Sequence, residues 1–407
     1  MSDSFLPYGR HVIDDADIAA VAGVLKGDWL TTGPAVERFE TALAARVGVR
    51  FAVACSSGTA ALHLAALALG IGPEDRAVVP SVTFLATANA VRYVGGEVIF
   101  ADVDAATGLL GEQQFRAALA GTAGRVKAVL PVHLAGQVVD MPALARVAAE
   151  HGIAVIEDAC HALGTTYRDG GEAIPVGSCR HSAMAVFSFH PVKTIAMGEG
   201  GAVTTNDPVL YERLMRLRNH GMTREPGDFR NAELAFAADG SPNPWYYEMP
   251  DIGFNYRASD IHCALALSQL GKLDEFVARR RALAESYDRR FAVLAPWMLP
   301  PQRVADCAAA WHLYAARIDF AGIGMPRDEL MRRLKSAGIG TQVHYIPVHR
   351  QPYYQDRAGS LQLPGSMAYY RATLSLPLFP SMTEADVTRV VDALAACLPA
   401  QANRHDR

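Results

Sequence analysis

The sequence is poor in the features that mark nucleic-acid-binding and membrane proteins. Its 407 residues hold 38 lysines and arginines against 42 acidic residues, and the net charge of -4 argues against a partner bound through phosphate neutralisation. No basic tract occurs, and no uncharged apolar run is long enough to cross a bilayer. The first residues, MSDSFLPYGRHVIDD, lack the charged start and apolar core of a secretory signal. We therefore expect a cytoplasmic protein with no nucleic-acid or membrane partner.

Cysteine pairs and glycine-rich nucleotide signatures are also missing. The six cysteines stand singly with no C-x-x-C pair, which indicates neither a zinc knuckle nor a disulfide framework. We expect interior thiols and no bound metal. The patterns G-x-G-x-x-G and G-x-x-x-x-G-K-[ST] do not occur, so a dinucleotide or a nucleoside triphosphate is not the natural ligand. A smaller phosphorylated cofactor remains open.

Strand and helix patterns alternate along the first two-thirds of the chain, which is typical of α/β proteins with a parallel sheet. Strands are predicted at FAVAC, AVVP, EVIFADV, VKAVLPVH and IAVIED. Helices are predicted between them at TAALHLAALALG, TFLATANAVRYVG and MPALARVAAEHG. Ligands of such sheets bind beyond the carboxyl ends of the strands. Functional residues are therefore expected just after the strands.

The alternation ends after Gly201. Residues 223–250 are rich in Pro, Gly, Asp and Asn and predict a long loop. A long helix is predicted over 260–291, and it is followed by the strands HLYAARIDF and TQVHYIPVH and two amphipathic helices. The predicted domains are a large α/β domain (1–265), a linking helix with a small α+β domain (266–400) and a flexible tail (401–407).

The stretch CSSGTAAL joins a predicted strand to a predicted helix. Its small residues, Ser57, Gly58 and Thr59 among them, would let backbone N–H groups at a helix N-terminus approach a phosphate. The alternative is that the hydroxyl side chains only cap the helix. By itself this motif favours the capping interpretation.

A second motif, IAVIEDACHA, ends a buried strand in two carboxylates, Glu157 and Asp158. Such a carboxylate either caps the next helix or faces a cationic group, and a pyridinium nitrogen is one candidate. His161 would share one face of the following turn. Taken alone, a histidine there is more often a packing residue, and Cys160 is too weakly supported to be a nucleophile.

Lys193 lies in a short crossing between an apolar run, 183–189, and a glycine cluster. An arbitrary lysine of this kind is usually a solvated loop residue, but burial between strands would make it a nucleophile. A helix start that binds an anion, then a carboxylate at a strand end, then a lysine is the order expected of a pyridoxal phosphate (PLP) enzyme. The predicted fold is therefore the type I fold of aspartate aminotransferase.

The chain resembles the DegT/DnrJ/EryC1/StrS family of nucleotide-sugar aminotransferases from about Leu6 to about Leu398. The similarity is carried by the ordered motifs SSGTAAL, TFLATANA, EDACHALG, FSFHPVK, GEGGAVTTND, FNYRASDIHCALALSQL and QVHYIPVH. Within the family it is most similar to transaminases of pseudaminic acid biosynthesis, through PYGR, DWLTTGP, SFHPVK, WYYEM and VHYIPVHRQPYY. The resemblance implies PLP as cofactor, L-glutamate as donor with 2-oxoglutarate as product, a UDP-linked 4-keto-6-deoxy-N-acetylhexosamine aminated at C4, and a homodimer with shared active sites.

The resemblance also implies roles for single residues. Lys193 would form a Schiff base with the cofactor and shuttle a proton, Asp158 would hold the pyridinium nitrogen, and His161 would lie near the phenolic oxygen. Phe84 would stack on the cofactor ring. The cofactor phosphate would be bound by Ser57, Gly58, Thr59 and Ser188, together with Asn255 of the partner subunit. The sugar would lie near Tyr8, Trp29, Leu30, Thr31, Thr32, His344 and Tyr345.

Other functions stay open at this point. A GDP- or dTDP-linked keto-sugar could replace the UDP-linked one. A lyase or desulfurase on the same fold would act on the amino acid and ignore sugars, and a non-catalytic cofactor-binding regulator is a further alternative. The lysine itself argues against the family's sugar dehydratases, which have histidine at its position.

Overall fold

A seven-stranded sheet forms the centre of the computed structural model, which describes residues 5–122 and 124–399. The first nine strands are β1 (Phe51–Cys55), β2 (Arg76–Pro80), β3 (Glu97–Ala101), β4 (Val126–Val129), β5 (Ala154–Asp158), β6 (Thr166–Asp169), β7 (Glu172–Pro175), β8 (Met184–Ser188) and β9 (Gly201–Thr205). The central order is β1-β9-β8-β5-β4-β2-β3, and only the pairs that involve β9 are antiparallel. The prediction of an α/β fold with a mainly parallel sheet is confirmed.

Helices cover both faces of this sheet. The helices of this part of the chain are α1 (Asp15–Leu25), α2 (Pro34–Val47), α3 (Gly58–Ala68), α4 (Leu85–Tyr93), α5 (Glu112–Ala120), α6 (Met141–Glu150), α7 (Pro208–Leu217), α8 (Ala232–Ala235) and α9 (Asp260–Leu270). Successive strand residues alternate between two buried apolar clusters, as Ala54 and Val53 do. The first cluster packs α2, α5 and α6 against one face, and the second packs α3, α4 and α7 against the other.

Two glycines bring the start of α3 against the end of β8. Gly201 pairs with both Cys55 and Ser188 across the sheet, and a Cβ on it would overlap the carbonyl oxygen of Ser57. A Cβ on Gly58 would lie 2.7 Å from the Cβ of Ser188. Since real Cβ atoms do not approach so closely, only glycine fits at either position. Ser188 is thereby held beside the first turn of α3.

A smaller antiparallel sheet and its helices form the C-terminal region. The strands of this region are β10 (Met298–Leu299), β11 (Cys307–Ala308), β12 (Tyr314–Ile318) and β13 (Thr373–Leu376). The helices of this region are α10 (Leu273–Arg290), α11 (Arg327–Ser336), α12 (Pro352–Ala358), α13 (Pro364–Ala372) and α14 (Glu384–Ala395). The order is β10-β12-β13, while β11 pairs with β6 beside β7. A third apolar cluster, which includes Leu283, Tyr314 and Val390, fills this region.

The strand predicted at TQVHYIPVH is wrong. Only Gln342 makes a ladder contact, to Ser375, and the segment ends in a 3-10 turn, Val348–Arg350. Pro347 has no N–H to donate, and the N–H of Val348 bonds to the carbonyl oxygen of Ser81, which lies beyond the end of β2. The segment therefore leaves the small sheet and crosses back to the edge of the large one.

The helix predicted over 260–291 is two helices, α9 and α10, which are separated at Gly271 and Lys272. The Lys272 ammonium pairs with Asp14 and Asp17 near the start of α1, which gives this break a tertiary anchor. Helix α10 contributes Leu273 to the first apolar cluster and Leu283 to the third, so it joins the two regions. The predicted domain boundary at 265 falls inside α9 and stays a prediction.

The remaining predictions on chain organisation have mixed outcomes. The loop predicted over 223–250 holds a single 3-10 turn, Pro226–Asp228, besides the one-turn helix α8. All six cysteines are unpaired, and four of them are buried. No helix within 5–122 or 124–399 is long and apolar enough to cross a membrane. The tail predicted at 401–407 lies outside the described residues.

Candidate active site

A cavity of about 600 Å³ opens where the carboxyl ends of the parallel strands face the C-terminal region. Lys193 lines it beyond the end of β8, and Asp158 lines it at the end of β5. The predicted site residues that meet in this cavity are Tyr8, Ser57, Gly58, Thr59, Phe84, Asp158, His161, Ser188, Lys193, His344 and Tyr345. Residues more than 300 positions apart are thus collected in one space.

The first turn of α3 forms one wall of the cavity. Ser57 is its N-cap, and its hydroxyl accepts a hydrogen bond of 3.1 Å from the N–H of Ala60. The capping interpretation is therefore right for the Ser57 side chain. The N–H groups of Gly58 and Thr59, at the first two helical positions, have no acceptor within the helix. With the nearby Ser188 hydroxyl they make a cradle suited to an anion.

The two adjacent carboxylates of the motif IAVIEDACHA have different surroundings. Asp158 lines the cavity, where its Oδ2 accepts a hydrogen bond of 2.6 Å from the Thr87 hydroxyl and its Oδ1 accepts one of 3.2 Å from the N–H of Cys160. Glu157 instead lies 2.9 Å from His133 Nε2 and accepts a hydrogen bond from the Ser182 hydroxyl. Neighbouring strand residues point to opposite faces, so only Asp158 is available to a ligand.

The protonation of His161 can be deduced from its contacts. Its Nδ1 accepts a hydrogen bond of 3.3 Å from the N–H of Ala135, so that nitrogen carries no proton. Burial and the nearby Lys193 charge hold the pKa of His161 well below its usual value, so the ring is neutral. The proton is therefore on Nε2, which donates to the Tyr345 hydroxyl at 3.1 Å. The Tyr345 O–H is in turn left free to donate into the cavity.

Lys193 carries a cavity-facing amine with no hydrogen bond or salt bridge among the described residues. Burial lowers the pKa of this amine, and the nearby Cys160 and Asp158 only partly oppose that effect. A lower pKa increases the fraction of neutral, nucleophilic amine at neutral pH. Burial also raises the pKa of the Cys160 thiol well above its usual value, which argues against a thiolate there.

A family model for the DegT/DnrJ/EryC1/StrS aminotransferase family matches residues 11–395. The chain belongs to this family. It is 40% identical over 393 residues to the spore coat polysaccharide biosynthesis protein SpsC of Bacillus subtilis, covering 96% of each chain. The resemblance to this family, predicted from the ordered motifs, is thereby confirmed.

Solved structures of aminotransferases superimpose on nearly the whole chain. PseC of Helicobacter pylori, an aminotransferase involved in the biosynthesis of pseudoaminic (pseudaminic) acid, has a TM-score of 0.86 and 27% identity, with 97% of this chain and 99% of PseC covered. The putative sugar aminotransferase Spr1654 of Streptococcus pneumoniae, in its PLP form, has a TM-score of 0.85 and 26% identity over 97% and 98%. Spr1654 is also solved with the pyridoxamine form. The family is PLP-dependent.

Two groups of predicted site residues do not line the cavity of their own chain. Trp29, Leu30, Thr31 and Thr32 lie on the surface, and their segment is joined to α9 by a bridge between Thr31 and Ser259. Asn255 is also exposed, in a bridge with Asn219. Along the chain, Asn255 lies four residues before Ser259, the bridge partner of Thr31. The predicted contacts of both groups with sugar and phosphate stay predictions.

Sequence reasoning missed two residues that contribute to this site, one through a hydrogen bond to Asp158 and one as part of the cavity lining. Thr87 fixes the Asp158 carboxylate, and its motif TFLATANA was recognised without a role for the hydroxyl. His312 lines the cavity although its segment was interpreted only as a strand. No pattern in the sequence marks either residue. Within the described chain, no group of three or more His, Cys, Asp or Glu side chains could hold a metal ion.

Proposed function

We propose that this protein is a PLP-dependent transaminase that moves the amino group of L-glutamate to C4 of a UDP-linked 4-keto-6-deoxy-N-acetylhexosamine. The observation that carries the proposal is the convergence of an unpaired lysine, a fixed carboxylate and a free helix N-terminus in one cavity. The structural likeness to PseC supports pseudaminic acid biosynthesis as the pathway and an amino sugar as the product.

The residues present fit PLP. The first turn of α3 and the Ser188 hydroxyl would hold the phosphate, and the Asp158 carboxylate would hold the pyridinium nitrogen. His161 would lie by the phenolic oxygen and Phe84 on the ring face. Lys193 would bond to the aldehyde. When bound, PLP supplies an aldehyde that takes up an amino group and a ring that accepts electrons.

The chain's own residues then position the ligands and move the proton. Lys193 Nζ, whose pKa is lowered by burial, accepts a proton from the reacting carbon and returns it. The Thr87 hydroxyl keeps the Asp158 carboxylate fixed in the cavity. The sugar would lie against a wall formed by the Tyr345 hydroxyl and the rings of Tyr8 and His344. The Tyr345 hydroxyl is polarised by its hydrogen bond with His161.

A panel of keto-sugars tests the substrate. L-Glutamate should shift the absorbance of the PLP-loaded enzyme to the pyridoxamine form, and the UDP-linked 4-keto-6-deoxy-N-acetylhexosamine should restore the first spectrum and yield an amino sugar by mass spectrometry. Preference for a GDP- or dTDP-linked sugar would move the assignment to that alternative. Amino-acid cleavage without a sugar would favour the lyase or desulfurase, and a colourless protein that binds no PLP would contradict all three enzymes.

We also propose a homodimer with shared active sites. Several large apolar side chains of α1 and the segment after it are exposed, namely Ile18, Leu25, Trp29 and Leu30, and such patches commonly mark protein interfaces. Asn255 is exposed and does not line the cavity of its own chain, and it lies four residues before Ser259, which bridges to Thr31. In a dimer formed through this surface, Asn255 of each subunit would lie at the phosphate site of the other subunit. Residues Trp29–Thr32 of each subunit would lie near the sugar bound by the other.

Mixing two inactive variants tests the shared site. Lys193→Ala and Asn255→Ala should each have little activity alone, whereas a mixed dimer should regain one complete site of its two. In that site the Asn255→Ala subunit supplies Lys193, and the Lys193→Ala subunit supplies Asn255. Activity should be measured after joint refolding, with light scattering to establish the dimer. Joint refolding that forms mixed dimers without restoring activity would contradict the sharing of Asn255.

A further inference from the structure

His312 lies at the cavity, and none of the described residues forms a hydrogen bond with its ring. It is only 4% exposed, yet it lines the space that Lys193 and His161 also line. Neither ring nitrogen has a hydrogen-bond partner among the described residues. Nδ1 is fully buried, but Nε2 is not. Buried polar nitrogens are almost always paired. The ring is therefore a polar group for which residues 5–122 and 124–399 supply no partner.

The position of this ring is fixed from both sides. The N–H of His312 donates a hydrogen bond of 2.9 Å to the carbonyl oxygen of Ala135, whose own N–H bonds to His161. On the other side the Arg280 guanidinium donates to the carbonyl oxygens of Trp311, His312 and Leu378. The rings of His312 and His161 are 4.3 Å apart between centroids. His312 is thus held in place before any ligand arrives.

The proton of the His312 ring belongs on Nε2. Burial, with the neighbouring His161 and Lys193, holds the pKa of His312 well below its usual value, so the neutral ring carries one N–H. A proton on Nδ1 would be a buried donor without an acceptor, which proteins avoid more strictly than an unpaired acceptor. With the proton on Nε2, the ring presents its donor to the cavity.

We propose that His312 is a further binding residue of this site, whose Nε2–H donates a hydrogen bond to the α-carboxylate of the amino donor. The inference rests on the proposed function. In that reaction the amino group of L-glutamate reacts beside Lys193, and the α-carboxylate is attached to the same carbon as that amino group. The residues that line the cavity include lysine and histidines but no arginine, so a carboxylate there has to be bound by uncharged donors such as this one. The keto-sugar has no such carboxylate and does not need this donor.

A pair of substitutions separates hydrogen bonding from packing. His312→Phe keeps an aromatic ring against His161 but removes the donor, and His312→Gln keeps an N–H near the place of Nε2. For His312→Phe we expect the KM for L-glutamate to rise by ~10- to 100-fold, the range for one hydrogen bond to a charged group. The KM for the keto-sugar should stay the same, and His312→Gln should restore most of the glutamate affinity.

A binding measurement complements the kinetics. Succinate, a dicarboxylate that cannot react, should bind the PLP-loaded His312→Phe protein more weakly than the wild type in calorimetric titration, and His312→Gln should bind it nearly normally. The proposal would be overturned if His312→Phe bound glutamate and succinate as tightly as the wild type does. An equal rise of both KM values, which indicates packing, or a rise for the sugar alone would also overturn it. His312→Leu replaces the Phe variant if circular dichroism shows that the latter is misfolded.

The wild-type protein keeps this test separate from the proposed function. If L-glutamate leaves the absorbance of the wild type unchanged, the proposed aminotransferase reaction fails, whatever His312 does. If the wild type reacts with L-glutamate and His312→Phe reacts with the same KM, only the role of His312 is overturned.

Discussion

Replacing Lys193 by alanine is expected to abolish amino transfer while the fold stays intact. The Lys193 amine makes no hydrogen bond or salt bridge among the described residues, so the structure does not depend on it. Burial lowers the pKa of this amine, as a nucleophile and proton carrier requires. Loss of the proton transfer alone should reduce kcat by ~10²- to 10⁴-fold, and loss of the covalent anchor should reduce it further.

Absorbance, borohydride trapping and circular dichroism measure this outcome. Borohydride should fix PLP on a peptide that contains Lys193 in the wild type and leave no such peptide in the variant. Lys335→Ala is the matched control, since Lys335 is exposed on α11. The control should keep full activity and the same trapped peptide. An active Lys193→Ala protein, or PLP trapped on another lysine, would contradict the assignment.

The order of three motifs was enough to predict which residues meet. Parallel strands end at one edge, so the start of α3, Asp158 and Lys193 were expected together, and all three line one cavity. Two choices could not be made from the local pattern alone, without the family resemblance. Ser57 serves as a helix cap whether or not a phosphate is bound beside it. Strand alternation separates Glu157 from Asp158, but it does not say which of them faces the ligand.

The missed features depend on contacts that are distant along the chain. The segment TQVHYIPVH has the apolar pattern of a strand. However, the N–H of Val348 donates to the carbonyl oxygen of Ser81, and this bond holds the segment against the large sheet. His312 is placed by Ala135 and Arg280, neither of which carries a recognisable signal. Local pattern fixes neither position, because each is decided by the backbone groups that remain unpaired elsewhere.

The cavity surrounds Lys193 with uncharged donors. Burial lowers the pKa of His344 to about 3 and holds the pKa values of His161 and His312 well below their usual range. Burial also raises the pKa of Tyr345 well above its usual value, so its hydroxyl keeps its proton. All four groups are neutral near pH 7, and Asp158 and Lys193 can act without competing charges from these rings. The site therefore combines one reactive amine with donors that orient ligands.

Exchanging Asp158 for asparagine is expected to lower kcat by on the order of 10²- to 10³-fold, as the loss of one key electrostatic contact does. Asparagine has nearly the same shape and can still accept a hydrogen bond from Thr87, so the fold should persist. What it lacks is the negative charge that would keep the pyridinium nitrogen protonated. Steady-state kinetics and PLP affinity, measured by absorbance titration, should both show the loss.

The adjacent carboxylate supplies the matched control for Asp158→Asn. Glu157→Gln makes the same chemical change one residue earlier, at a side chain that contacts His133 and Ser182 instead of the cavity. It should lower the free energy of unfolding by on the order of 1 kcal/mol, because hydrogen bonds from His133 and Ser182 to a carboxylate are replaced by weaker ones to an amide. Its kcat should stay close to the wild-type value. If Glu157→Gln loses activity and Asp158→Asn does not, the roles assigned to the two carboxylates are reversed, and the cavity described above is not where the ring nitrogen lies.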